Sequence, residues 1–289
     1  MTQSAGQIIR SHGRRYVVEA DDGNTYDCST RGKRSDYAAG DRVDLQISNG
    51  EQAVIERAQP RRSLLYRQDD FRQKLIAANV TQLVVVLAAV PTPSREFLDR
   101  ALIAAEAADI AALIVLNKTD LPETPAAREL LGFYREIGYP VLELSALGDI
   151  SPLRERLTGQ TTVLIGQSGM GKSTLTNALL PSAQARVGDI STALDSGRHT
   201  TTHATLYHLD ADSHLIDSPG LQEFGLMHLD ATQVIHYFPE MRELAGRCRF
   251  HNCAHLVEPG CGLIAAHAAG EIAAVRLPLL QKLTRMLQR

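Results

Sequence analysis

The stretch Gly166-Gln167-Ser168-Gly169-Met170-Gly171-Lys172-Ser173 decides the fold class of this chain of 289 residues. It has the glycine spacing and the final lysine and serine of a phosphate-binding loop. An apolar run at Thr162–Ile165 precedes it and a helical pattern at Lys172–Leu180 follows, which is the context that such a loop needs. The glycines let backbone N–H groups surround a phosphate, and the start of the helix favours an anion. We therefore predict an α/β domain in which the loop and Thr174 contact a nucleotide.

The stretch Asn117-Lys118-Thr119-Asp120 matches the guanine-reading NKxD motif, and it lies before the phosphate loop. Its aspartate accepts two hydrogen bonds that guanine can donate and adenine cannot, while the lysine packs on the base. Ser145-Ala146 fits the short base-contacting segment that follows this motif in GTPases. In most phosphate-loop GTPases the NKxD motif comes after the loop, but the sequence contains no second copy downstream. The rotated order predicts a circularly permuted GTPase, with ATP binding as a minor alternative.

Four positions of the predicted site are expected to contact the phosphates and Mg²⁺. Lys172 is expected to bridge the β- and γ-phosphates as a catalytic residue, and the Ser173 hydroxyl is expected to bind Mg²⁺. Downstream, Asp217-Ser218-Pro219-Gly220 ends another apolar run. Asp217 is placed to hold Mg²⁺ through water, and the N–H of Gly220 is placed to sense the γ-phosphate.

Residues 183–202 lack periodicity and are rich in small polar residues, which predicts a long mobile switch loop. Thr201 is expected to bind Mg²⁺ in the GTP state and to assist catalysis. Thr200 and Thr202 are alternatives for the same role, and any of the three can be an ordinary solvent-facing residue.

Leu221 stands where many GTPases have the glutamine that orients the attacking water. Leucine neither donates nor accepts a hydrogen bond, so slow intrinsic hydrolysis is expected. His199 is the candidate catalytic replacement, because a neutral imidazole can orient water. The alternative is a loop histidine with no part in the chemistry.

Three of the four cysteines lie between residues 248 and 261, which in a reducing compartment indicates a metal site rather than disulfides. They form the pattern Cys248-x4-Cys253-x-His255-x5-Cys261, a Cys₃His set suited to tetrahedral Zn²⁺. His251 is an alternative fourth ligand, and buried free cysteines are the alternative to a metal site. With no open coordination position the zinc would be structural. Cys28 is expected to be a core residue, on a strand of the N-terminal β-rich region.

The chain is predicted to have several domains. Residues 1–60 contain about five short alternating runs separated by turn residues, which favours an OB-fold, although an SH3-like barrel would have a similar pattern. Pro60-Arg61-Arg62 is a predicted linker, after which strands and helices alternate as in a parallel α/β sheet. We predict an RNA-binding barrel over 1–60, a GTPase domain over 61–225 and a mostly α-helical zinc-binding domain over 226–289.

The formal net charge of −3 hides an uneven distribution. Residues 1–75 contain 13 Lys/Arg and 11 Asp/Glu, residues 241–289 contain 7 and 3, and the middle contains 10 and 19. The basic ends predict contact with an RNA backbone, and ordinary solvated arginines are the alternative. The candidate RNA contacts in the barrel are Arg31, Lys33, Arg34 and Arg42.

No apolar segment typical of a signal peptide occurs in Met1–Arg10. The longest apolar run, Leu83–Val90, has the length of a strand rather than of a membrane span. These features predict a soluble cytosolic protein that does not contact a membrane. Nothing in the sequence suggests a dimer interface, so a monomer is expected.

Taken together, these motifs make the chain resemble the bacterial small-ribosomal-subunit-dependent GTPases, a circularly permuted family of ribosome-assembly factors. The resemblance runs essentially from end to end. It rests on Arg31-Gly32-Lys33-Arg34, Ala39-Gly40-Asp41-Arg42-Val43, Asn117-Lys118-Thr119-Asp120, Gly166–Ser173, Gly197-Arg198-His199-Thr200-Thr201-Thr202, Asp217-Ser218-Pro219-Gly220 with Leu221, and Cys248, Cys253, His255 and Cys261.

The resemblance implies an OB domain, a permuted GTPase domain and a zinc domain, in that order. It also implies binding to the small ribosomal subunit and its rRNA in late maturation, with GTP hydrolysis stimulated by that particle and coupled to release from it. His199 corresponds to the family's switch-loop histidine, which is proposed to replace the missing glutamine. Two other functions share every motif: a GTP-gated RNA-binding module with negligible turnover, and a GTP switch acting on a protein partner.

Overall fold

The computed structural model describes residues 2–13, 15–31, 36–69, 72–180, 204–217 and 225–288. Five predicted site residues therefore lie outside the described residues, and their predicted roles stay predictions. They are Lys33, Arg34, His199, Thr201 and Gly220.

Five strands close the N-terminal barrel. β1 pairs with both β2 and β4, while β3 pairs with β5 in parallel, so the sheet closes on itself. Side chains alternate across each strand, and the inward set includes Tyr16, Val18 and the predicted core residue Cys28. The closed arrangement confirms the predicted OB-type barrel. The strands are β1 Thr2–His12, β2 Arg15–Ala20, β3 Thr25–Thr30, β4 Arg42–Asn49 and β5 Gln52–Ala58.

A two-stranded hairpin follows the barrel, where the sequence predicted a linker that leads directly into an alternating α/β pattern. Its strands are β6, Leu64–Asp69, and β7, Arg72–Ala78, paired antiparallel. Within the two strands, apolar residues lie only towards the outer ends of the hairpin, so neither strand alternates along its whole length. The predicted domain boundaries at residues 60 and 225 stay predictions.

The central sheet has the strand order β10-β9-β8-β11-β13-β12. All its neighbours are parallel except β12, which pairs antiparallel with β13 and connects to the barrel through Arg10 of β1 opposite Thr205. The strands are β8 Gln82–Ala88, β9 Ala111–Asn117, β10 Val141–Glu143, β11 Thr161–Ile165, β12 Thr205–His208 and β13 His214–Asp217.

Helices cover both faces of this sheet, which is why β8 reads as an unbroken apolar run. Leu83, Val85 and Leu87 face one cluster, and Val84 and Val86 face the other. Helix α3 was not predicted, because it has only seven residues and a single buried pair of leucines. The helices are α1 Arg95–Ala107, α2 Thr124–Glu136, α3 Ser151–Leu157 and α4 Lys172–Leu179.

The C-terminal part is mostly helical, as predicted, and it packs on the face of the sheet that α1 covers. Two 3₁₀ turns, Val234–Tyr237 and Arg242–Arg247, precede α5, Gly262–Ala268, and α6, Arg276–Leu287. Leu277, Leu280 and Leu283 of α6 recur every three residues and are buried, as expected for an amphipathic helix. Across the part of the chain that the structure describes, no helix has both the length and the apolarity to cross a membrane.

Candidate functional site

The parallel strands bring the predicted motifs to one edge of the sheet, because their carboxyl ends all point the same way. Asn117 ends β9, the phosphate loop follows β11, and Asp217 ends β13. Strands β8, β9, β11 and β13 lie in neighbouring positions in the order β9-β8-β11-β13. Segments that are far apart in the chain therefore converge on one site.

The phosphate loop has the backbone conformation that its glycines predict. Gly169 and Gly171 have φ values of 80° and 90°, in the left-handed region that disfavours other residues. Gly171 is also the N-cap of α4, and a Cβ added there would lie 2.2 Å from Nδ2 of Asn117. Only glycine fits between the loop and the NKxD segment at this position.

The ammonium group of Lys172 lies at the centre of the loop. Its Nζ donates to the carbonyl oxygens of Gly166 and Gln167, at 2.6 and 3.3 Å. Burial lowers the pKa of Lys172, and the nearby carboxylate of Asp217 partly opposes that shift. The structure thus places the loop lysine and the switch aspartate within electrostatic reach of each other. The hydroxyl-bearing residues Ser173 and Thr174 are exposed at the start of α4.

Asn117 ties three segments of the site together. Its side chain is buried; Nδ2 donates to the carbonyl of Met170 at 3.0 Å, and Oδ1 accepts the N–H of Ala146 at 2.9 Å. The phosphate loop, the NKxD motif and the Ser145-Ala146 segment are therefore held in one arrangement. Both polar ends of this amide contact protein, so the geometry favours a supporting role for Asn117 over direct contact with the base.

Asp120 and Lys118 lie at the open side of this arrangement. A hydrogen bond from Ser145 lowers the pKa of the exposed Asp120, and the charge of Lys118 adds to that effect. Lys118 has a positive φ of 59°, and its Nζ donates to the carbonyl of Val90 at 3.0 Å. An ionised carboxylate held by Ser145 is the acceptor that a guanine edge requires.

Replacing Asp120 with asparagine is expected to lower GTP affinity by about 100-fold and to shift preference towards xanthine nucleotides. An asparagine amide cannot accept two hydrogen bonds from guanine, whereas it can pair with the oxygen that xanthine carries at the same position. Competition binding with GTP and XTP measures the shift. Ser151→Ala, at a matched polar position outside the site, is the control, and equal preference in both variants would contradict the assigned role.

The four residues of the predicted metal site converge in the structure. The ligand atoms of Cys248, Cys253, His255 and Cys261 all lie within 4.8 Å of one another. The Nδ1 atom of His255 lies 3.5 Å from Sγ of Cys248 and 3.6 Å from Sγ of Cys261. The group contains His255 and not the alternative His251. A compact set of three thiolates and one imidazole fits a tetrahedral metal of the zinc type.

Two further features hold the metal-site loop. The carboxylate of Glu258 accepts the N–H groups of Ala254, Leu256 and Val257, which fixes the turn around His255. The N–H of Gly262 donates to Sγ of Cys248 at 3.3 Å, as outer contacts of thiolate ligands usually do. The backbone therefore holds the four ligand residues together, and four protein ligands suffice for a tetrahedral structural site.

Thiol reactivity should separate the metal ligands from Cys28. Burial raises the pKa of Cys28 to about 12, so its thiol is protonated and shielded at neutral pH. We expect the metal-loaded native protein to react slowly with Ellman's reagent, and three thiols to become reactive after chelation. The fourth should react only after unfolding. Rapid modification of Cys28 in the folded protein would contradict this assignment.

The two described arginines of the predicted RNA contact already have protein partners. Arg31 forms an ion pair with Glu56 at 3.0 Å and donates to Gln46 at 2.8 Å. Arg42 donates to both carboxylate oxygens of Asp21, at 2.7 and 3.0 Å. Their side chains remain 66% and 41% exposed. RNA phosphates would therefore have to compete with carboxylates, and the predicted RNA contact stays a prediction.

The segment from Val90 to Ser94 borders the site, although no motif marked it. It contacts Lys118 through the Val90 carbonyl and the phosphate loop through Gln167. Its two prolines and the serine before a helical pattern indicate a turn and an N-cap. Those signals locate the turn, but nothing local indicates what it touches.

Comparison with known proteins agrees with this architecture. A family model described as RsgA GTPase matches residues 58–227. The chain is 61% identical over 278 residues to a Neisseria meningitidis protein named small ribosomal subunit biogenesis GTPase RsgA, covering 96% of this chain and 91% of that protein. A protein of the same name from Nitrosomonas europaea is 49% identical over 292 residues, covering 100% and 93%.

Two solved structures resemble the whole chain. The crystal structure of YjeQ from Thermotoga maritima has a TM-score of 0.74 at 29% sequence identity, and the match covers 99% of both chains. The structure of YloQ, described as a circularly permuted GTPase, has a TM-score of 0.71 at 25% identity, covering 99% of this chain and 96% of that one. These matches confirm the predicted permuted arrangement.

Proposed function

Because this chain belongs to the RsgA GTPase family, we propose that it hydrolyses GTP to GDP and phosphate while acting in the late maturation of the small (30S) ribosomal subunit. We further propose that the small subunit stimulates hydrolysis and that hydrolysis is coupled to release. The observation that carries the GTP assignment is the bond of Asn117 to both Met170 and Ala146. This side chain holds the phosphate loop and the two predicted base-contacting segments together despite the rotated order, which supports a single guanine-nucleotide site.

Five of the described site residues have a proposed part in nucleotide binding or GTP hydrolysis. Lys172 neutralises the phosphates, and Ser173 supplies a hydroxyl for the Mg²⁺ that accompanies GTP. Asp217 lies near Lys172, as expected for a residue that holds Mg²⁺ through water. Asp120 reads the guanine edge, with Lys118 beside it. His199 as the water-orienting group and Thr201 as a second Mg²⁺ ligand remain proposals from the sequence.

We assign one structural Zn²⁺ to Cys248, Cys253, His255 and Cys261, since their four ligand atoms converge and four protein ligands complete a tetrahedral site. The proposed partners are GTP, GDP and the small subunit with its rRNA, which the barrel would contact through its basic residues. The relatives from Neisseria meningitidis and Nitrosomonas europaea are named for small-subunit biogenesis, which supports this assignment. A cytoplasmic monomer is the form that we expect.

Steady-state GTP hydrolysis with and without purified small ribosomal subunits tests the proposal. The site lacks a glutamine after Gly220, so the isolated protein should be slow. Small subunits should raise the rate by about one to two orders of magnitude, less than the roughly 10³–10⁵-fold that a partner-supplied arginine gives other GTPases. Large subunits serve as the control.

The alternatives make different predictions in the same assay. A GTP-gated RNA-binding module would bind small subunits in a nucleotide-dependent manner with a flat, slow rate. A switch for a protein partner would show weak, salt-insensitive RNA binding and no response to either subunit. Either result would overturn the proposed coupling to the small subunit.

A further inference from the structure

The side chain of Gln167 points from the phosphate loop to the start of α1. Its Oε1 accepts the backbone N–H of Ser94 at 2.8 Å, across 73 residues of sequence. Ser94 is the N-cap of α1, and its own Oγ accepts the N–H of Phe97 at 3.2 Å. In a capping box, a Glu or Gln three residues after the N-cap returns a bond to the N-cap N–H. Phenylalanine cannot accept that bond, so the phosphate loop supplies the missing half of the cap.

Helix α1 gives this bond a firm attachment point. Asp99 of α1 is buried, and its Oδ1 accepts hydrogen bonds from Arg276 at 2.6 Å and from the Tyr134 hydroxyl at 2.8 Å. Seven further residues of the helix are buried against the sheet and the C-terminal part. The phosphate loop is therefore bonded to the N-cap of a helix that is itself held in place by buried contacts.

Two more contacts connect the same turn to the nucleotide site. A Cβ added at Gly169 would lie 3.1 Å from Cδ of Pro91, so the turn packs closely against the loop. Lys118 donates to the carbonyl of Val90 at 3.0 Å. The turn from Val90 to Ser94 therefore touches both the phosphate loop and the base-reading segment.

Fixing Gln167 also fixes the groups around its backbone. Its carbonyl oxygen accepts bonds from Nζ of Lys172 at 3.3 Å and from the N–H of Met170 at 3.4 Å. Phosphate binding depends on how these loop groups are directed before the anion arrives. Because the Gln167 side chain holds the phosphate loop before the nucleotide arrives, less conformational entropy is lost when the nucleotide binds.

We propose that Gln167 is a positioning residue for guanine-nucleotide binding, because it completes the N-terminal cap of α1 and thereby holds the phosphate loop in its binding conformation. It acts through the loop backbone. The inference rests on the proposed function, since it concerns the same GTP site, but it assigns a new role to a loop side chain that bonds to the start of α1.

The first test is Gln167→Met, which keeps the side-chain length and offers only a weak sulfur acceptor. Because one net hydrogen bond is lost, the Kd for a fluorescent GDP analogue and the KM for GTP should rise about threefold to tenfold. The kcat at saturating GTP should fall by a smaller factor than KM rises. Measurements are made well below the thermal midpoint of each variant, so that only folded protein is compared.

Two substitutions at Ser94 form a matched pair. Ser94→Ala removes the capping hydroxyl but keeps the N–H that Gln167 accepts, so it should lower Tm by about 2–4 °C with little change in Kd. Ser94→Pro loses the hydroxyl and the N–H, and the φ of −78° at this position suits proline. It should raise Kd as Gln167→Met does, and it gives an independent answer if the methionine variant does not fold.

The outcomes separate this inference from the proposed function. Absence of guanine-nucleotide binding by the wild-type protein would overturn the proposed function itself. If the wild type binds GDP and Gln167→Met lowers only Tm, the bond is a structural cap and the positioning role is wrong. An equal rise of Kd in Ser94→Ala and Ser94→Pro would also overturn it, because helix stability rather than the loop bond would then set affinity.

Discussion

Replacing Lys172 with alanine is expected to lower GTP turnover by about 10²–10³-fold, with the fold intact. The ammonium lies at the centre of the phosphate loop, bonded to the carbonyls of Gly166 and Gln167. Burial lowers the pKa of Lys172, which means that the charge has lost part of its hydration before any phosphate is present. Phosphate oxygens replace that hydration when GTP binds. The lysine then stabilises the negative charge on those oxygens most strongly in the transition state of phosphoryl transfer.

Steady-state phosphate release in the presence of small subunits measures the effect, alongside Tm. Lys282→Ala is the control, since Lys282 is 60% exposed and forms its ion pair with the exposed Glu96 of α1. The control should retain wild-type turnover. A Lys172→Ala rate within tenfold of wild type would refute the catalytic role of this lysine.

Replacing Arg276 with alanine is expected to destabilise the protein by about 3–5 kcal/mol, because it leaves a buried carboxylate without its partner. The Arg276 side chain is 2% exposed and donates to Asp99 at 2.6 Å and to Glu240 at 2.5 Å. Its guanidinium also lies over the ring of Phe238, 4.6 Å from the centroid. Burial opposes its charge, but the bonds to Glu240 and Asp99 win and raise the pKa of Arg276. The group is therefore charged at every pH of interest.

Urea denaturation followed by far-UV circular dichroism measures this loss of stability. Tryptophan fluorescence cannot be used, because the chain contains no tryptophan. Lys282→Ala removes an exposed ion pair between the same two helices and should change stability by less than about 1 kcal/mol. The double variant Asp99→Leu/Arg276→Met should recover part of the loss, because it removes the buried Asp99 carboxylate, although Glu240 still loses its partner. If Arg276→Ala and Lys282→Ala lowered the free energy of unfolding equally, the buried pair would not stabilise the packing of α1 against α6 more than an exposed pair does.

Most of the site was predictable from local sequence. A phosphate loop requires glycine at positions with left-handed backbone, and the φ values of Gly169 and Gly171 meet that requirement. The metal site was predictable for a similar reason, since four ligands within fourteen residues need only short turns to converge. The five-stranded barrel followed from the alternation in residues 1–60, although the choice of OB-fold needed the observed closure of β1 on β4.

Other features were not predictable because they depend on distant partners. The hairpin of β6 and β7 lacks full alternation, and α3 is too short for a clear period. From the sequence, Arg31 and Arg42 were predicted to be available to RNA, but the barrel places a carboxylate beside each of them. Whether an arginine is available to RNA is decided by the strand next to it, which charge counts cannot show.

The sequence by itself determined that this is a circularly permuted GTPase with a Cys₃His site, because the order and spacing of those motifs are properties of the chain. Only the tertiary structure decided that Asn117 bonds the phosphate loop, that Gln167 completes the cap of α1, and that Arg276 is a buried ion-pair partner rather than another basic residue near the C-terminus. The physical reason is distance along the chain. The partners in these bonds are 53, 73 and 177 residues apart, and the packing of sheet and helices brings each pair within hydrogen-bond range.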